Sequence, residues 1–183
     1  MDPEEYRKLI LPHLARLFGA QNVIPEWDVA KGSKDAYTRA LYCPKMDVAV
    51  GPFNIDGNVN QNNKVIDQTI QSCYPFINAL VEISETPVGD TERFLLRKNR
   101  NPRCFLAIEL EKSGSTKHRL GDIANASILG AIGIVVPLTE DKLRSFIRLK
   151  KYLEYGIDVD KIPPSFGNVL VIAADRFLNI MRR

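Results

Sequence analysis

Two glutamates, Glu109 and Glu111, close an apolar run, RCFLAIELEK (103–112). The two-residue period of a strand sends both carboxylates to one face, about 7 Å apart at their Cα atoms. On an otherwise apolar sheet such a pair repels itself and resists desolvation. A cation between the two removes that penalty. Hard divalent ions such as Mg²⁺ or Mn²⁺ take carboxylate oxygens, keep several waters and leave room for a substrate phosphate. A third acid stands in MDVAVGPF (46–53), where Met46, Val48 and Val50 point one way and Asp47, Ala49 and Gly51 the other. If the two strands are neighbours, Asp47, Glu109 and Glu111 meet at one edge. In the plainer reading the glutamates lie beyond the covered sheet and are solvated, with Asp47 far from Glu109.

These acids need a scaffold, and the periodicities supply one. Residues 3–18 predict a helix, with Pro3 in its first turn, Glu4 and Glu5 at its positive end, a stripe of Leu9, Ile10, Leu14, Leu17 and Phe18, and a stop at Gly19. Residues 22–30 read as a strand followed by a polar loop at 31–34, and the asparagine-rich stretch 54–63, with its Asp56–Gly57 pair, reads as turn or loop. Helical spacing at Ile66, Ile70, Cys73, Ile77 and Leu80 predicts a helix over 64–84, split by Pro75. A short helix is expected at 92–98.

In the run 103–112, Cys104, Leu106, Ile108 and Leu110 face one side and Phe105, Ala107, Glu109 and Glu111 the other. Ser115 or Thr116 caps a helix to Leu129 with Leu120, Ile123, Ala124, Ser127 and Ile128 inward. GIVVP (133–137) reads as a strand buried on both faces, followed by a basic amphipathic helix over 139–155, a strand at 168–173 and a terminal helix capped by Asp175. The order predicts an α/β fold, a mixed sheet with helices on both faces, in a single domain whose segment 54–102 is an insertion or lid.

The bulk composition narrows the classes. At 183 residues, 45% hydrophobic and 26% charged, the chain is of globular type and long enough to bury a core without staples. No apolar run reaches membrane-spanning length and the N-terminus has no signal-peptide core, which leads us to expect a soluble, cytoplasmic protein. Cys43, Cys73 and Cys104 form no CxxC pair, so they are read as small hydrophobes rather than a disulfide framework or a zinc site. No P-loop, GxSxG or GxGxxG occurs. His13 and His118 stand alone. A net charge of +3 does not identify a polyanion binder, but Arg93, Arg97, Lys98, Arg100 and Arg103 cluster, as do Arg144, Arg148, Lys150 and Lys151.

The pattern MDVAV (46–50) followed by FLAIELEKSGSTKHRLGDIANASILGAIGIVV (105–136) resembles the PD-(D/E)xK nuclease superfamily, the restriction-endonuclease-like fold, over residues 1–53 and 103–137. The resemblance implies that Asp47 and Glu109 hold a metal ion, Mg²⁺ or Mn²⁺, and that the residue two positions on assists the attacking water. Glu111 stands where that family usually has lysine, although some restriction enzymes carry glutamate there. Met46 rather than proline precedes Asp47, the nearest proline being Pro44, and the gap from Asp47 to Glu109 is long. Lys112 points to the opposite face by alternation, whereas Lys117, at the start of the next helix, can reach the site. Glu5 on the first helix is a further candidate ligand, since family members often carry an acid there.

The expected chemistry is metal-assisted phosphodiester hydrolysis, in DNA before RNA, with Asp47, Glu109 and Glu111 on the metal and Lys117 stabilising charge. Arg93, Arg97, Lys98 and Arg100 are the candidate nucleic-acid contacts, steering substrate toward the cleft. A homodimer is considered, with the helix at 64–84 as its surface. The alternative is a non-catalytic binding or assembly protein of the same fold that has lost the lysine; it need not bind Mg²⁺ and tolerates Glu109→Ala.

Overall fold

Capping and alternation place the elements. The computed structural model describes residues 1–29, 44–53, 58–162 and 166–182. The loop expected at 31–34, Cys43 and the Asp56–Gly57 turn lie outside the described residues. Helix α1 (Pro3–Phe18) opens on a capping box, in which Asp2 accepts from the Glu5 N–H and Glu5 accepts from the Asp2 N–H. It ends at Gly19, whose φ of 84° suits glycine. Its buried stripe is Tyr6, Ile10 and Leu14, a strict four-residue spacing. Leu9 and Leu17, expected inside, are exposed. The Tyr6 hydroxyl sets this rotation by donating to the Ala174 carbonyl at 2.6 Å.

Strands β1 (Val23–Asp28) and β2 (Lys45–Val50) pair antiparallel, and β2 pairs antiparallel with β3 (Cys104–Glu111). Strands β4 (Gly130–Pro137) and β5 (Val169–Val171) continue the sheet in parallel, in the order β1-β2-β3-β4-β5. Between β2 and β3 run α2 (Val59–Ser72), α3 (Tyr74–Glu82) and α4 (Thr91–Leu95). Helix α5 (Thr116–Leu129) crosses from β3 to β4, α6 (Glu140–Asp158) from β4 to β5, and α7 (Ala174–Met181) follows. The protein is thus α/β, a five-stranded mixed sheet flanked by helices.

Two apolar clusters fill the faces. Helices α1 to α4 and α7 bring Ile10, Ile66, Ile77, Leu80, Phe94 and Phe177 against Val48, Ile108 and Ile134. Helices α5 and α6 bring Ile123, Ala126, Phe146 and Leu153 against Ala49, Ala107 and Val135. The stripe on α2 and α3 considered for dimerisation is therefore buried inside the chain. The helix splits at Cys73, with Pro75 in the first turn of α3, where its missing N–H leaves no bond unmade. The asparagine-rich stretch is not all loop, because Asn58 accepts from the Gln61 N–H and starts α2.

Three local expectations are corrected. Phe105 joins the α1 face, edge-on to Phe18 with centroids 6.0 Å apart, and Cys104 joins the opposite cluster, so strict alternation begins only at Leu106. Helix α7 is capped by Ala173 without a side-chain bond, and Asp175 lies in the first turn. On α5, Leu120 and Ile128 face solvent while Ile123, Ala126 and Ser127 face inward. Gly133 fixes that last rotation: a Cβ there would lie 2.9 Å from the backbone of Ala126. Gly133→Ala is expected to destabilise the fold by ~2 kcal/mol, measured by urea melts, because backbone rather than a flexible side chain must give way. Burial raises the thiol pKa of Cys73 to about 11 and raises that of Cys104 further. Among the described residues no helix is long and apolar enough to cross a membrane.

Candidate active site

Strands β2 and β3 hold register through Val48–Ile108, and the ladder stops there. One step on, Asp47 and Glu109 face each other. The Leu110 N–H donates to Asp47 Oδ2 at 2.8 Å, so a side chain supplies the acceptor where strand pairing ends. Asp47 Oδ1 lies 3.5 Å from Arg7 Nη1, and the same guanidinium donates to Glu26 at 3.0 Å. Glu109 is only 7% exposed, and its carboxyl lies beside Asp47 and Asn125.

Glu111, two residues on, accepts from the Ser113 and Gly114 N–H groups and so folds back on the turn that leads into α5. A Cβ on Gly114 would stand 2.8 Å from Glu111 Oε2 and 2.9 Å from the His118 Cβ. The glycine is thus the space that the carboxylate occupies. If a divalent ion binds Glu111, Gly114→Ala is expected to weaken that binding about tenfold in calorimetry, as loss of outer-shell support does. The Gly114 carbonyl in turn accepts from Lys142 Nζ, at the start of α6, and from Arg119 Nη1.

Sequence reasoning missed one acid. Asp122 on α5 stands beside Glu111, and its Oδ2 is buried with no hydrogen-bond partner among the described residues. With Asn125 one turn later it forms a polar pair within the inward face of α5, which was the available signal. Arg7 was also missed, and no local pattern marks it.

Four carboxylates therefore share one end of the sheet, and their protonation follows. Burial, then the charges of Asp47 and Asp122, pushes Glu109 up to about 9. Burial and Glu111 push Asp122 up to about 7. Burial also raises Asp47, against the opposing pull of the Leu110 N–H. Folding thus favours the protonated form of Glu109 beside Asp47.

The remaining expected residues fall elsewhere. Glu5 is exposed and committed to the α1 capping box, because at the third helical position it turns back to the Asp2 N–H. Lys117 is exposed on α5 and makes no hydrogen bond or ion pair among the described residues. Arg93, Arg97, Lys98 and Arg100 lie at the opposite end of the sheet, where Asn99 N–H donates to Ala131 and Arg103 N–H to Leu129. The length of β3, about 20 Å, separates them from the carboxylates. Arg97 pairs with Glu154 at 2.6 Å and Lys98 with Asp67 at 3.2 Å, which reduces the charge they present. Lys150, from the second basic group, is fully buried and bonded to Glu154 and the Phe166 carbonyl.

No protein-family model, curated protein or solved structure matches this chain.

The donor set suits a hard cation: oxygens only, one buried oxygen unpartnered, and a proton held where an ion would balance charge. The acids do not form a closed cage, and among the described residues no group of three or more His, Cys, Asp or Glu is arranged to hold a metal ion. Asp47 and Glu111 each have an oxygen committed to backbone N–H groups.

Proposed function

We propose that the protein is a metal-dependent nuclease that hydrolyses phosphodiester bonds, in DNA first, with a restriction-endonuclease-like core. The observation that carries the reading is the meeting of Asp47 and Glu109 from adjacent antiparallel strands, with Glu111 and Asp122 beside them. The strand order, an antiparallel trio extended in parallel through α5, supports it.

Asp47, Glu109 and Glu111 would hold Mg²⁺ or Mn²⁺, with Asp122 as a fourth oxygen donor; bound there, the ion lowers the pKa of a water and polarises the scissile phosphate. The chain's own contribution is positioning. The Leu110 N–H and Arg7 fix the Asp47 carboxylate, and the Ser113 and Gly114 N–H groups fix Glu111. Glu109 would release its proton to solvent when a bound cation balances its charge. Positive charge near the phosphate comes from Arg7 and Lys142, in the places the chain offers instead of a lysine at position 111.

Calorimetry with Mn²⁺ or Mg²⁺ and a plasmid-nicking assay test this together. Binding and nicking in the wild type, both lost in Glu109→Ala, are expected. Neither in the wild type sinks the proposal. The second reading, a non-catalytic binding or assembly protein of the same fold, is favoured by one observation: Lys117 is exposed and forms no ion pair with the carboxylates among the described residues. It is the outcome if the wild type cuts no nucleic acid, whether or not it binds metal.

A further inference from the structure

Helix α6 turns its aliphatic side inward, where Phe146 and Leu153 are buried and Leu143 and Leu149 pack against the same cluster. Its outward side is of a different kind. Arg148, Lys151, Tyr152 and Tyr155 follow the spacing i, i+3, i+4, i+7, which puts all four on one helical face. All are exposed, the two tyrosines at 65% and 66%. None of the four side chains makes a hydrogen bond or ion pair among the described residues. The other cations of the helix are committed: Arg144 pairs with Asp141 at 3.0 Å, Lys142 donates to the Gly114 carbonyl, and Lys150 is buried. Glu154 is held by Arg97 and Lys150, so no acid stands on the outward face between Arg144 and Tyr155. The next one along is the exposed Asp158.

Two unpaired cations and two rings left in water share a strip about 10 Å long. A lipid surface would need the aliphatic side of α6, which is buried. An acidic peptide answers the cations alone. A nucleic-acid strand with unpaired bases answers both, its phosphates meeting Arg148 and Lys151 and its bases lying on Tyr152 and Tyr155. Resting on the nuclease reading, we propose that the outward face of α6 holds a single strand of the substrate. The strand follows α6 toward Lys142, about 20 Å from Tyr155 along the helix. Lys142 bonds the Gly114 carbonyl, in the turn whose N–H groups hold Glu111, so the track leads from the tyrosines to the rim of the carboxylates.

Binding is read on the full chain in EDTA, where no metal-dependent cutting intervenes, by anisotropy of a short, labelled, mixed-sequence single-stranded oligonucleotide. The wild type is expected to bind it, to prefer it to the same sequence as a blunt duplex, and to keep it against excess polyglutamate. Tyr152→Ala with Tyr155→Ala should weaken binding about tenfold or more and leave its salt dependence unchanged. Arg148→Gln with Lys151→Gln should make the slope of log affinity against log salt shallower by about 1.4, the share of two phosphate contacts on a single strand. Lys64→Gln with Arg182→Gln removes two charges from exposed positions on α2 and beyond α7, in the other helical layer, and should change neither. The substituted side chains are all exposed, and thermal melts at the wild-type temperature show that each variant folds. No binding, equal binding of the duplex, displacement by polyglutamate, or equal losses in the α6 and control variants overturns the proposal. Binding through α6 without any cutting in Mg²⁺ upholds the face as a nucleic-acid contact and removes the nuclease reading instead. Cutting that persists undiminished in both α6 variants keeps that reading and removes this face.

Discussion

In metal-free buffer at pH 8, Glu109→Gln is expected to melt ~5 °C above the wild type, the shift that ~2 kcal/mol gives a domain of this size. The sign follows from the direction of the shift. Glu109 is raised from 4.5 to about 9 in the folded protein, so folding favours its protonated form. Its unfavourable contribution is absent below the unfolded pKa, grows as pH rises between those values, and is complete above the folded one. Glutamine keeps the neutral shape at every pH, so the gap between the two proteins should close toward pH 4 and widen toward pH 9. Saturating Mg²⁺ should reverse the ranking, because an ion that binds only the folded wild type stabilises it by mass action while the variant gains nothing. Thermal melts across pH, with EDTA and with Mg²⁺, check both halves. A variant no more stable than the wild type at pH 8 in EDTA refutes the account of the site given above.

The second large effect lies away from the carboxylates. Lys150 is 0% exposed, bonded to Glu154 and to the Phe166 carbonyl, and Arg97 shares Glu154 at 2.6 Å. Burial lowers the Lys150 pKa and Glu154 opposes that shift. Glu154→Ala removes the anion and leaves a buried ammonium facing a guanidinium, so we expect a loss of ~3 kcal/mol or more in urea melts. Lys150→Met removes the charge together with its desolvation cost and fills a similar volume. It should therefore stay within ~1 kcal/mol of the wild type. Two equal losses would mean that the network contributes through packing rather than charge.

The acids at the centre of the site were legible because strand alternation is a short-range rule. Once β2 and β3 are neighbours, the residue types at 47 and 109 settle that they share a face. What the rule could not show is that β2 and β3 part at that point, so that Asp47 bonds the Leu110 N–H. Asp122 escaped because the inward face of α5 was read from its largest apolar residues, Leu120 and Ile128, which face solvent. The rotation of that helix is decided by Gly133, on a different element. Glu5 was misplaced although Asp2 and Glu5 spell a capping box, a local pattern that outranks a distant ligand role. The basic residues at 93–103 were legible as charge, but which end of the sheet they occupy depends on how α4 docks.

Asp47 and Glu109 bear different burdens. Asp47 completes strand pairing, so the fold loses an acceptor without it. Glu109 is a buried acid that the fold accommodates at a penalty. On the nuclease proposal, a lineage that abandoned the chemistry would therefore drift unevenly: position 109 would be released early to neutral residues, while position 47 would stay aspartate or asparagine for the bond that closes the strand pairing. In such descendants an acid at 47 would mark the fold, and an acid at 109 the proposed chemistry.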